Sequence, residues 1–375
     1  MKAGYWPLCR PPDAMGWLGI NDLEQGCLDL SGLSQAQRDE GGGDALMLRG
    51  TLVLEMSIPD SRRPEPLLLF SQGGDWPIDL RIQAVPGGGV SLVLQHSGSL
   101  SHATLNPSGA GRAGQVRLTY AWDSLSGYAR LALERADSDR VQITLLPPPC
   151  PWRYQDLQAV ISPGPFRFVA EAVTYLAIST ALEPVGPMPG LDPATPVATP
   201  QGYRRVDSLK RGDLVLSETG GSLPVLHVLH REVPALGIFR PVTLRAPFFG
   251  LQQGIQVSAS QRVVVSGSEV EYLFGRPEVL VPARHLMGTS VATPGQAKGF
   301  TTRYTQLVLP DHAPLLAAGA VLESLYLGSL RRDALRLQAS QLAAVDRMTL
   351  PEHGPPRYPV LRAFDAAVLA ERRVA

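Results

Sequence analysis

The chain has 375 residues, 44% hydrophobic and 18% charged, with 34 basic side chains set against 34 acidic ones. That length exceeds the usual single domain, so two domains are expected, and a formal charge of +0 argues against a nucleic-acid or membrane partner recognised by charge. The 37 glycines and 34 prolines imply many turns between short strands, so the expected fold class is all-β.

Cys9, Cys27 and Cys150 form no CxxC pair, which gives no metal knuckle and no disulfide scaffold. A Cys9–Cys27 bridge stays open; three free, buried thiols are the expectation. The start, Met1-Lys2-Ala3-Gly4-Tyr5-Trp6-Pro7, lacks the apolar centre of a signal peptide, and no run of about 18 apolar residues follows. A cytoplasmic protein, or one exported by a signal-less route, is expected. No cofactor and no metal are expected.

Residues 1–46 read as an irregular leader with short strands, with a turn at Asp29–Leu33 and a flexible joint at Gly41-Gly42-Gly43. Alternation then predicts a strand over Met47–Ile58, with Leu52, Leu54 and Met56 on one face and Thr51, Val53 and Glu55 on the other. Further strands are predicted at Pro66–Gly74, Asp79–Ala84, Val90–His96, Gln115–Trp122, Tyr128–Glu134 and Ala172–Ile178. Many short strands with turn signals between them suggest a double-sheet sandwich. The pair Gln115–Glu134, turning over Asp123-Ser124-Leu125-Ser126-Gly127, resembles the concanavalin A-like (laminin G-like) jelly roll. That resemblance implies a module of residues 1–182 with a glycan or protein ligand. Trp76, Trp122 and Trp152 are candidates for stacking on sugars, although core filling is the commoner fate of large aromatics. No calcium-loop spacing of Asp and Asn occurs.

Glu183-Pro184-Val185-Gly186-Pro187-Met188-Pro189 reads as a stiff Pro/Gly linker. After it, Gly190-Leu191-Asp192-Pro193-Ala194-Thr195-Pro196-Val197-Ala198-Thr199-Pro200-Gln201-Gly202 leads through Val206–Leu216 into an apolar strand. Later phrases are Val257-Ser258-Ala259-Ser260-Gln261-Arg262-Val263-Val264, Val281-Pro282-Ala283-Arg284-His285-Leu286, and a closing hairpin over Ala313–Tyr326 that follows His312. Together these resemble the Hint domain, the autoprocessing module of hedgehog proteins and inteins, in its bacterial form. The resemblance covers residues 190–330 and implies a pseudo-two-fold β-fold. A weak repeat between Val206–Leu216 and Val281–Ala292 agrees with two related halves. The remainder, 331–375, is expected as a short helical tail, with helices at Ala334–Ala344 and Leu361–Glu371 and an apolar stripe of Leu361, Phe364 and Val368 on the second.

The resemblance also implies a site. Hint chemistry begins when the first residue's thiol or hydroxyl attacks the preceding carbonyl, while a Thr/Ser-x-x-His element polarises that carbonyl and protonates the leaving nitrogen. Here the nucleophile position is Gly190 and the histidine position is Gln261. Ser258 and His312 match the family, and His285 reads as structural. With both bond-breaking parts absent, the expectation is a Hint fold without Hint chemistry and a chain that is not an enzyme. The alternative is self-cleavage or splicing near residues 189–193 by an atypical nucleophile. Thr199 and, above all, Asp192 before Pro193 are the fallback candidates, with a turn Asp before a rigid Pro as the plainer reading. No phosphate-binding glycine loop, zinc-protease helix or nucleophile elbow is present.

Overall fold

The computed structural model describes residues 16–59, 61–106, 114–136 and 138–373. The chain divides into two compact units, Met1–Gly186 and Pro187–Ala375, both built mainly from antiparallel strands. Among the described residues no helix is long and apolar enough to cross a membrane.

In the first unit a seven-stranded sheet runs in the order Val141–Leu146, Tyr128–Arg135, Gly114–Asp123, Arg49–Ile58, Val173–Ser179, Trp17–Asp22, Cys27–Asp29. A five-stranded sheet runs Arg167–Val169, Glu65–Gln72, Ile78–Val85, Gly89–His96, Ser99–Leu105. One apolar cluster joins them: Leu52, Leu54, Met56, Leu118 and Tyr120 from the first meet Leu68, Phe70, Leu80, Ile82 and Leu92 from the second. Alternation places these side chains on one face of each strand, and burying that face is the main driving force for the fold. On the opposite face of the strand Thr51, Val53 and Glu55 are buried too. On the same sheet the cross-strand pair Arg117 and Glu134 forms a buried ion pair at 2.8 Å.

Several expectations change here. The leader is integral from Trp17 onward: Trp17–Asp22 is buried throughout and pairs with Val173–Ser179, and Ser31–Asp39 is a helix where a turn was expected. Its irregular reading came from short elements whose burial is non-local. The strands Ser99–Leu105 and Val141–Leu146 were also missed; both are short and largely unburied. Trp122 and Trp152 are core residues, 0% and 1% exposed, and cannot stack on a sugar; Trp76 is half-buried against the same core. The first half of the expected linker is held. Glu183 is buried, with Ser179 Oγ donating to its carboxylate at 2.7 Å, and Gly186 N–H donates to Glu134 at 2.9 Å. Cys27 and Cys150 are free and half-buried rather than fully buried, and Cys9 lies outside the described residues.

The second unit centres on a six-stranded sheet, in order Gly202–Arg205, Pro196–Thr199, Leu315–Ala317, Ala320–Leu322, Arg262–Ser266, Glu278–Pro282. Beside it stand the pair His227–Pro234 with Thr301–Val308 and the trio Ile255–Ser258, Pro241–Leu244, Ala292–Pro294. The internal repeat has a structural counterpart. Val206–Ser208 and Ala283–Leu286 are each a 3-10 turn, followed by a left-handed glycine, Gly212 at φ 91° and Gly288 at φ 84°, and then a short strand. The tail joins this core. Val360 bridges Leu280, and the helix Ala363–Arg372 buries Ala366, Leu369 and Ala370. Phe364, expected on the buried stripe, is 78% exposed. Ala366, Leu369 and Ala370 face the core instead, while Leu361 ahead of the helix is buried as expected. The other tail helix stops at Gln338, well short of the expected Ala344.

Candidate functional site

The segment after Pro189 is clasped between two strands. Leu191 bridges both Val257 and Thr305, exchanging hydrogen bonds with Thr305 at 3.0 and 2.7 Å. Ser258 N–H donates to the Gly190 carbonyl at 2.7 Å, and Asp192 N–H to Gln256 at 3.1 Å. Leu191 and Val257 are both 0% exposed, so apolar burial pins the register. A tight turn, closed by Gln261 N–H donating to Ser258 O at 3.0 Å, reverses the chain after Ser258. That turn delivers the Gln261 side chain opposite Gly190.

There the carboxamide is bonded on both of its ends. Its Nε2 donates to the carbonyls of Arg262 at 3.1 Å and Glu323 at 3.0 Å, and its Oε1 accepts from Gln306 Nε2 at 2.8 Å. Gln306 Nε2 also reaches the Glu323 carbonyl at 3.2 Å, and its Oε1 accepts from Leu307 N–H at 3.1 Å. Gln261 and Gln306 are both buried. A Cβ on Gly190 would lie 2.3 Å from Gln261 Oε1 and 3.2 Å from its Cβ and Cδ. The volume a side chain at residue 190 would occupy is therefore filled by an amide. Gly190 does not take a positive φ, so its backbone conformation is one that a residue with a side chain adopts.

Glu323 gathers the rest. Its carbonyl holds both glutamines, while its carboxylate meets Arg262 Nη1 at 3.2 Å and lies 3.1 Å from His312 Nε2. The His312 approach is off the hydrogen-bonding axis, so neither ring nitrogen has an in-line partner. His312 packs instead against Tyr326 and His353, at centroid distances of 4.7 and 5.8 Å. His353 is fixed in one tautomer: Nδ1 accepts from Leu327 N–H at 3.1 Å, so Nε2 carries the proton it donates to Leu309 O at 3.1 Å. Burial pushes the His353 pKa down, consistent with that neutral form.

Of the residues singled out from the sequence, Gly190 and Gln261 meet directly and Ser258 joins them through its backbone. The Ser258 hydroxyl turns to Ser260 Oγ at 3.1 Å, and His312 reaches the group only through Glu323. The fallback nucleophiles are engaged in turns. Asp192 Oδ1 accepts from Ala194 N–H at 2.8 Å, and Thr199 Oγ1 donates to the Gly202 carbonyl at 2.6 Å. His285 Nδ1 donates to the Leu361 carbonyl at 3.0 Å and so ties down the tail. Sequence reasoning missed Gln306 and Glu323. Their one signal is a polar side chain set inside an apolar run, Gln306 before Leu307-Val308-Leu309 and Glu323 after Ala320-Val321-Leu322. Among the described residues, no three His, Cys, Asp or Glu side chains stand close enough to hold a metal ion.

The sequence model of the Hint domain family matches residues 189–329, so this stretch of the chain is a Hint domain. Among solved structures, the chain is similar to the bacterial intein-like domain from Clostridium thermocellum at 16% identity, over 36% of this chain and 99% of that one, with a TM-score of 0.28. The gp41-1 intein is similar at 15% identity, over 36% of this chain and 98% of that one, with a TM-score of 0.24. The CBM40 of the Ruminococcus gnavus IT-sialidase, bound to alpha2,3 sialyllactose, is similar at 15% identity over 44% of this chain and 87% of that one, with a TM-score of 0.28. No curated protein matches the chain.

Proposed function

We propose that the Hint domain of this chain keeps its fold without self-cleavage, and that the protein works as a binding or structural module. Its first unit, read as a concanavalin A-like sandwich, takes a glycan or protein ligand. The observation that carries this reading is the Gln261 carboxamide, which fills the space beside Gly190 where an attacking thiol would sit. Breaking an amide requires catalysis to lower the barrier by well over ~8 kcal/mol. Gly190 supplies no nucleophile, and an amide at residue 261 cannot shuttle a proton as an imidazole does. The Thr199 hydroxyl donates to the Gly202 carbonyl and Asp192 Oδ1 accepts from Ala194 N–H, so both fallback side chains take part in local turns. Intact-mass measurement of the purified full chain, with and without dithiothreitol, tests it. A single full-length species under both conditions is expected; thiol-accelerated fragments parted between residues 189 and 190 would overturn it.

A further inference from the structure

Resting on that binding-module reading, we propose that the outward face of the five-stranded sheet in the first unit is a platform for a neutral glycan. Strand register defines the face. Phe168 stands opposite Leu69, Leu69 opposite Arg81, Arg81 opposite Val93 and Val93 opposite His102. Residues in such a row project to the same side of a sheet. The alternate rows, with Phe70, Leu80 and Leu94, point into the core.

Two phenyl rings lie open on this side. Phe168 is 47% and Phe166 62% exposed, although a phenyl ring normally finds cover. They border a cleft of about 530 Å³ that also takes in Leu69, Asp79, Arg81 and Gln83. Within it Arg81 and Asp79 form a two-pronged pair, Nε to Oδ1 at 2.7 Å and Nη2 to Oδ2 at 2.8 Å. The pair is a planar, ordered array of donors and acceptors already held in place.

A pyranose has an apolar C–H face edged by hydroxyls. The open rings suit the face, and the carboxylate–guanidinium pair with the Gln83 amide suits neighbouring hydroxyls, which both donate and accept. Charge selects the class of sugar. Asp79 cancels Arg81, Arg167 on the border of the cleft turns its Nη1 away to the carbonyls of Val160 and Ile161 at 3.1 and 2.6 Å, and the other outward side chains from Leu69 to Ser71, Asp79 to Gln83 and Ser91 to Gln95 are uncharged. A sialylated, sulfated or uronic-acid ligand needs a free cation, and this face offers none at its centre.

The full-length chain is applied to immobilised neutral gluco-, galacto-, manno- and xylo-oligosaccharides, with sialylated and sulfated glycans alongside, and hits are titrated by calorimetry. The variants are Phe166→Ala with Phe168→Ala, and Arg81→Ala. All three side chains are exposed, so an unchanged Tm certifies that each variant folds. At least one neutral oligosaccharide is expected to bind, and each variant to weaken it about tenfold or more. Undiminished binding by both variants overturns the location; binding of acidic glycans alone, or of none, overturns the ligand class. Each of these failures leaves the uncleaved mass of the chain untouched, whereas failure of the inert-Hint reading shows as fragments whatever the glycan result.

Discussion

Replacing Gly190 by alanine should destabilise the second unit, and Gln261 should be the reason. The new Cβ would sit 2.3 Å from Gln261 Oε1, roughly 1 Å inside a normal contact, so the carboxamide must swing away. It would leave three hydrogen bonds, to Gln306 Nε2 and to the carbonyls of Arg262 and Glu323. At about 1 kcal/mol each, that loss is about 3 kcal/mol. Gly190 lacks a positive φ, so alanine also restricts the unfolded chain and returns ~0.4–1 kcal/mol. The net expectation is a destabilisation of about 2 kcal/mol. In a Gln261→Ala background the main obstruction is gone, so the same substitution should cost nearly nothing, giving a coupling of about 2 kcal/mol. Urea unfolding of the parent, both single variants and the double variant, followed by far-UV circular dichroism, measures the cycle. Additivity within about 0.5 kcal/mol would refute the idea that Gln261 occupies the side-chain space of residue 190.

Gly190→Cys alone is expected to stay uncleaved in dithiothreitol, because Gln261 both fills the thiol's place and cannot protonate the leaving nitrogen, while Gly190→Cys with Gln261→His is the smallest change expected to cleave. Equal cleavage by the single and double variants, read by mass, would show that residue 261 is not the missing acid. In the first unit, burial between Trp76 and Trp152, with the Arg153 charge adding to it, pushes His96 from 6.5 down to about 4. A base whose folded pKa is depressed is protonated first in the unfolded chain, so stability held above pH 6.5 is lost as pH falls toward 4. His96→Phe should flatten that acid slope; an unchanged slope would refute it. Tryptophan emission in urea isolates this unit, since all 5 tryptophans of the chain precede residue 153.

Local pattern alone determined much of this protein. Alternation at Leu52, Leu54 and Met56 marked a core strand because a strand's two-residue period is written directly into the order of side chains. Turn phrases and the motif at Val281–Leu286 located the Hint half, and the sequence singled out Gly190 and Gln261 as a pair. What those two residues do to each other was decided only by the tertiary structure. Gly190 and Gln261 come into contact because Leu191 is buried between Val257 and Thr305, which lie 66 and 114 residues further along the chain. Gln306 and Glu323 entered the site by the same route, as single polar residues whose partners lie on other strands. The leader strand Trp17–Asp22 was illegible for a related reason, since its partner Val173–Ser179 arrives at the far end of the unit. The tail helix shows the limit of periodicity. Of the stripe Leu361, Phe364 and Val368, Leu361 is buried as expected but Phe364 is not, and Ala366, Leu369 and Ala370 face the core, because helix–core fit is a property of two surfaces together.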